Sequence, residues 1–298
     1  MKVFVVLAFI FSLNSLAANC PLFVSTGAVN FVQSTSDQSV AIDVHLFRYN
    51  TSSQCKKYEL GVTTGSANSY SRKLYNGGYD LSYNIYRSST TSTALRSVND
   101  AQGNSQSIKF SMNSWYTKLT LYVRLPAPTL GLENGLYTDT TQIQVVPRGN
   151  NSGGGNTNLT TNLNVLSDIN ISLVGRGGQY NENQTSHTLN FGAMTTGKTR
   201  SFDLIVKANT GYQINVSSEY DGSLSHTQKP TYKVGYNFNV NGSSMSLVGS
   251  KNSPRLIYSS NSPNQNGQVI EIDVSLLNTD QKLSGAYSDY IYFTAISN

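Results

Sequence analysis

The sequence predicts an all-β chain built from two tandem β-sandwich domains, and three observations carry that prediction. Apolar and polar residues alternate in short runs, such as Tyr58-Leu60-Val62 and Ile270-Ile272-Val274, so each run has one face for a core and one for water. The same runs return later in the chain in the same order. Beyond the amino-terminal segment, no stretch sustains the period of a helix.

The repeat is the most informative of the three. Tyr58, Leu60 and Val62 match Tyr212, Ile214 and Val216, and Leu81, Tyr83 and Ile85 match Val234, Tyr236 and Phe238. Leu119, Leu121, Val123 and Leu125 then match Ile270, Ile272, Val274 and Leu276, and Gly135-Leu136-Tyr137-Thr138-Asp139 matches Gly285-Ala286-Tyr287-Ser288-Asp289. The offset drifts slowly from 154 to 150 residues, as small loop insertions would make it. Period-2 alternation in every copy describes antiparallel strands packed on one side. The paired Gly-x-Tyr-x-Asp segments are expected to build the fold: glycine for a turn, tyrosine packed with its hydroxyl bonded to backbone, and aspartate bonded to nearby amides.

The expected division is a signal peptide over 1–18, a first domain over 19–147, a linker over 148–159 and a second domain over 160–298. Lys2, the apolar run Val3 to Leu13 and the small residues Ser15 and Ala17 have the layout of an export signal. That run is too short for a bilayer-spanning helix, which needs about 20 residues. Pro147 to Asn156 is rich in glycine and asparagine and is expected to be a flexible linker. Export permits a disulfide, and Cys20 and Cys55 are the only cysteines. Their bridge would contribute roughly 3–4 kcal/mol by loop closure.

Composition narrows the function. Only 12% of residues are charged, and 19 tyrosines with many Ser, Thr and Asn supply neutral polar faces. The formal charge of +5 is dispersed, which argues against nucleic acid as a partner. Two cysteines and three histidines leave little for a metal, and no cofactor is expected. Gly192-Ala193-Met194-Thr195-Thr196-Gly197-Lys198-Thr199 fits the phosphate-loop pattern, but the alternating run Phe202 to Lys207 follows where that motif needs a helix. A polar hairpin loop is expected there. No GxSxG elbow or HExxH helix is present, and the chain is expected to be non-catalytic.

Cys55-x-x-Tyr58-x-Leu60-x-Val62-x-x-Gly65, Ser71-Arg72-x-Leu74, Leu81-x-Tyr83-x-Ile85-Tyr86 and Gly135-x-Tyr137-x-Asp139 together resemble the spore coat protein U domain. That domain occurs in subunits of archaic (Csu-type) chaperone–usher pili. The second half, with Leu189-Asn190-Phe191-Gly192 and Asn209-Thr210-Gly211-Tyr212, resembles the pilin domain of two-domain members, though it has no cysteine. The resemblance implies two immunoglobulin-like sandwiches, the second an incomplete pilin fold lacking one strand. It also implies three partners: a periplasmic chaperone, an outer-membrane usher, and an adjacent pilin subunit that fills the gap by donor-strand complementation. Ile291, Phe293 and Ala295 would line the groove, with Thr141, Ile143 and Val145 as first-domain counterparts.

A whole domain ahead of the pilin domain implies a tip adhesin, exported through the periplasm to the cell surface. The alternatives are another pilus subunit or a secreted structural coat protein. If the first domain's last strand runs toward the linker, the loop before it lies at the far end. Pro126, Pro128, Leu130 and Leu132 in that loop are then the expected surface-binding residues, with Asn99 to Gln106 a second candidate loop. The ligand itself is unspecified. Trp115-Tyr116 would begin a strand at the linker end and is expected to pack there.

Overall fold

The structure is a computed structural model describing residues 18–298 apart from 128, 130 and 150, so the segment expected to be a signal peptide lies, but for Ala18, outside the described residues. Strands account for nearly all the regular structure. The chain divides into two compact units, one ending at Asn164 and the other comprising Gly131–Gly135 and Val165–Asn298.

The first unit contains β1 (Asn19–Thr26), β2 (Val29–Phe31), β3 (Gln38–Arg48), β4 (Lys57–Val62), β5 (Lys73–Asn76), β6 (Tyr79–Ser82), β7 (Asn84–Tyr86), β8 (Ile108–Ser111), β9 (Tyr116–Leu125), β10 (Gly135–Pro147) and β11 (Ser152–Val165). One layer runs β1-β3-β9-β7. The other groups β4, β5, β6, β8 and β10, and β11 joins the two layers by pairing with β10 on one side and β1 on the other. Alternation sends Leu22, Val24, Val44, Leu46, Leu121 and Val123 inward to meet Tyr58, Leu60, Ile143 and Val145. The expected Cys20–Cys55 disulfide is formed, closing a separation of 35 residues.

The segment expected to be a flexible linker is therefore mostly strand. Residues 152–159 open β11, and the first unit extends to Asn164 instead of 147. Glycine is required there by close backbone approach. A Cβ on Gly154 would lie 2.2 Å from the Val145 carbonyl oxygen, and one on Gly155 would lie 2.3 Å from that of Leu22. Downstream, Leu159, Thr161, Leu163 and Val165 are buried in alternation.

The second unit contains β12 (Ile169–Gly175), β13 (Thr199–Ala208), β14 (Tyr212–Ser218), β15 (Ser223–His226), β16 (Lys233–Val240), β17 (Ser243–Met245), β18 (Arg255–Ser260), β19 (Asn264–Leu276), β20 (Tyr287–Ser288) and β21 (Ile291–Ser297). One layer runs β12-β13-β19-β16-β15-β20, with β17 on β16, and the other runs β18-β14-β21. Their core joins Phe202, Leu204, Val206, Ile270 and Ile272 to Tyr212, Ile214 and Val216. The phosphate-loop look-alike runs directly into β13, and the Lys198 ammonium is bonded to the Ala193 carbonyl at 2.8 Å.

The repeated tyrosine–aspartate signature makes the same clamp in both units. Asp139 accepts the Tyr83 hydroxyl at 2.7 Å and the Ser66 amide at 2.9 Å. Asp289 accepts the Tyr236 hydroxyl at 2.5 Å and the Tyr220 amide at 3.1 Å. The amide bonds match expectation, whereas the tyrosine donor, more than 50 residues away in the chain, is visible only in three dimensions. Tyr287 does bond to backbone, at the Leu283 carbonyl.

Burial, and behind it the bond to aspartate, raises the Tyr83 and Tyr236 hydroxyls far above the usual tyrosine range. Above about pH 10 the unfolded chain releases these protons while the folded chain keeps them. Their contribution to stability is thus complete below about pH 10 and is lost as pH rises, at up to about 1.4 kcal/mol per pH unit for each tyrosine. Denaturant titrations between about pH 8 and 11 should show this fall, with a shallower slope in the Tyr83→Phe/Tyr236→Phe double variant. Equal slopes would place the alkaline sensitivity elsewhere.

Candidate functional site

The two units treat equivalent strands differently. In the first, β10 pairs with β4 so that Ile143 lies opposite Val62 and Val145 opposite Leu60. In the second, β21 pairs with β14 so that Phe293 lies opposite Val216 and Ala295 opposite Ile214. These are the same residues of the repeat in the same register.

On the far side of β10, however, lies β11, and Thr141, Ile143 and Val145 are buried to within 1% of complete coverage. Among the described residues β21 pairs with β14 alone. Ile291, Phe293 and Ala295 point toward the core but remain half-buried. Alternation sends Tyr292 and Ile296 to the opposite face, where both are exposed. The three residues expected to line a groove are therefore together, on one strand face, beside an unpaired backbone edge.

The strand beside β21 in the facing layer is β12. It pairs with β13, is likewise an edge, and comes alongside β21. Asn209 sets its start: its side chain accepts the Asp168 amide at 2.7 Å and donates to the Leu166 carbonyl at 2.9 Å. That accounts for one of the residues carrying the pilin resemblance. Ile169, Ile171, Leu173 and Met194 are partly buried against the same core, and Phe293 meets Phe202 edge-on at 5.9 Å. In the first unit the corresponding slot is filled by β11, parallel to β1 and β2.

The described part of the expected surface-binding loop lies at the end of the first unit from which the chain exits. Pro126 is exposed, Leu132 is half-buried, and Pro128 and Leu130 lie outside the described residues. Thr129 is buried and bonded to Ser34, while Gly131–Gly135 belongs to the second unit, with the Asn134 amide bonded to the Asn209 carbonyl. The reason is β11. One additional strand reverses the chain, so the end of the first unit away from its exit at Asn164 is the β10–β11 turn together with the loops around residues 49–56 and 112–115. Trp115, expected to be packed, is 64% exposed there. The other candidate loop borders a polar cleft of about 600 Å³ lined by Tyr70, Arg96, Asp100 and Gln106. Its groups satisfy one another, with Asp100 accepting from Tyr70 and Ser97 at 2.7 Å.

The chain is thus an all-β protein of two immunoglobulin-like sandwiches; in one, β10 is paired on both sides, and in the other the equivalent strand, β21, is paired on one side among the described residues. Residues 7–144 match the family model of the Spore Coat Protein U domain. No curated protein sequence matches the chain significantly. Among solved structures, similarity extends to a chain of the CsuC-CsuE chaperone-tip adhesion subunit pre-assembly complex from archaic chaperone-usher Csu pili of Acinetobacter baumannii. That match has 15% identity and TM-score 0.45, covering 92% of this chain and 99% of that one. The CupB6 tip adhesin of Pseudomonas aeruginosa is similar at 12% identity and TM-score 0.40, covering 94% and 93%. CfaE, the adhesive subunit of CFA/I fimbria of enterotoxigenic Escherichia coli, is similar at 11% identity and TM-score 0.40, covering 91% and 92%.

Proposed function

We propose that this protein is a non-catalytic tip adhesin of a chaperone–usher pilus, whose second unit accepts a donor strand from the adjacent pilin subunit. The observation that carries the reading is the contrast between β10, whose apolar face is covered by β11, and β21, whose equivalent face is half-open beside an unpaired edge. An unpaired edge over an apolar groove is a template for strand addition: backbone bonds supply affinity and alternate side chains fill the pockets. A periplasmic chaperone would occupy the groove first, and the neighbouring subunit would replace it at the outer-membrane usher. The Spore Coat Protein U match in the first half supports the same setting. With its own slot filled, the first unit is free to serve as the adhesive head at the cell surface.

The test is export of the chain to a bacterial periplasm with and without its cognate chaperone, followed by purification and melting. Recovery as a one-to-one complex, with degradation or aggregation of the chain alone, is the expected result. A stable monomer obtained without chaperone would overturn the strand-accepting reading and favour a secreted coat protein.

A further inference from the structure

Charge that is scattered along the sequence is gathered by the fold at one end of the first unit. That unit carries eleven arginines and lysines against six carboxylates, a side-chain balance of +5. Elsewhere in the unit the cations meet partners: Lys73 and Lys118 are paired with Asp80 and Asp43 at 2.9 Å, and Arg124 donates to the Thr91 and Ser88 carbonyls at 2.8 Å. At the end away from Asn164, Arg48, Lys56, Lys57 and Arg148 come together where β3 ends, β4 begins and β10 turns into β11. Arg48 is buried and the other three are exposed. Strand pairing sets Pro147 opposite Tyr58, and one step on the Arg148 amide bonds to the Lys57 carbonyl at 2.9 Å. On its other side Lys57 stands opposite Ser111 of β8. Tyr58 points into the core, so alternation turns Lys57 and Arg148 to the outer face. Two cations therefore face water on adjacent strands, an arrangement that like-charge repulsion makes unfavourable. The carboxylate on the same face of β4, Glu59, accepts the Ser107 hydroxyl and lies opposite Lys109 instead.

We infer that this end of the first unit binds a linear acidic polysaccharide. An anionic group seated at Lys57 and Arg148 turns their mutual repulsion into attraction, and the planar Arg148 fork suits a carboxylate or sulfate. Lys56 is exposed beside them, so a partner with charges along its length gains by meeting several cations at once. Arg48 adds its charge from beneath: its Nη1 donates to the Cys55 carbonyl at 3.0 Å, and no carboxylate among the described residues is paired with it. The Cys20–Cys55 disulfide anchors the turn that carries Lys56. The remaining side chains narrow the class of partner. Thr51, Ser52, Ser53 and Gln54 are exposed and polar, offering hydrogen bonds to a hydrated chain where a bilayer would require an apolar wedge. Ser111, Lys57 and Arg148 include no ring, so the row gives a nucleic-acid base nothing to stack on. The inference rests on the adhesive reading only for its setting, because no residue of the second unit takes part.

The full chain, as its chaperone complex, should be retained on immobilised heparin and alginate at about 50 mM salt and released toward about 0.5 M, beyond any retention of the chaperone alone. It should pass through neutral dextran. Lys57→Gln/Arg148→Gln should weaken binding roughly ten-fold. Lys73→Gln, which removes a cation already held by Asp80, should leave binding unchanged. The double variant should melt no lower than the parent, since it also removes the like-charge pair, and this separates lost binding from lost folding. Retention on heparin but not alginate supports the inference and restricts the partner to sulfated chains. Three results would overturn it: no retention on either polymer, equal retention of parent and double variant, or binding confined to DNA or to phosphatidylglycerol vesicles. Absence of polymer binding with chaperone capture intact would sink this inference and leave the strand-accepting reading standing.

Discussion

Extending the chain beyond Asn298 with a short turn and a copy of residues 157–165 should raise the melting temperature of the second unit by about 10 °C, corresponding to about 3 kcal/mol for a unit of this size. The appended strand would fold back on β21 as β11 folds back on β10. A short connection allows only the antiparallel hairpin, and the copied segment brings Leu159, Thr161, Leu163 and Val165, whose originals fill the equivalent slot. Covering Ile291 and Phe293 removes apolar surface from water, and pairing the free edge satisfies its backbone groups. Amide exchange in β12 and β21 should slow together. Replacing Leu159 and Leu163 of the copy with Asp should abolish the gain, since the pockets require alternate apolar side chains. An extended chain with unchanged melting and unchanged exchange on β21 would mean that the edge is not an acceptor.

Gly154→Val should destabilise the first unit by about 3–5 kcal/mol, enough to lower its denaturation midpoint sharply. Two costs combine. Gly154 sits at φ +102°, a conformation that a β-branched residue adopts only with strain, and its Cβ would fall 2.2 Å from the Val145 carbonyl oxygen. Gly149 provides the internal comparison: its φ is +86°, but nothing lies within 4 Å of its Cβ position. Gly149→Val therefore carries the backbone cost alone, about 1–2 kcal/mol. In a flexible linker both substitutions would be nearly silent, so equal midpoints for the two variants would contradict the strand.

The strands and their inward faces were legible because period-2 alternation is a local property. Tyr58, Leu60, Val62, Ile270, Ile272 and Val274 are all buried as their spacing requires. The repeat carried further information: it paired β10 with β21 and so identified Ile291, Phe293 and Ala295 as equivalents of Thr141, Ile143 and Val145. Glycine was the point of failure. Gly153-Gly154-Gly155 has the same letters whether it belongs to a loose tether or to a strand squeezed between two others, and only the neighbouring carbonyls tell them apart. The alternation of Leu159, Thr161, Leu163 and Val165 was visible, but nothing local said to which domain it belonged.

That one strand had consequences well beyond its own residues. It extended the first unit, filled its slot, and reversed which end of the sandwich lies away from the chain's exit, so that the exposed Trp115 stands at that end. By itself, the sequence determined the all-β class, the doubling of one fold, the disulfide and the inward face of every repeated strand, because these follow from composition and short-range pattern. Only the tertiary structure decided which edges are covered and which charges meet across strands, because pairing partners are chosen across the whole chain and leave little trace in the residues they join.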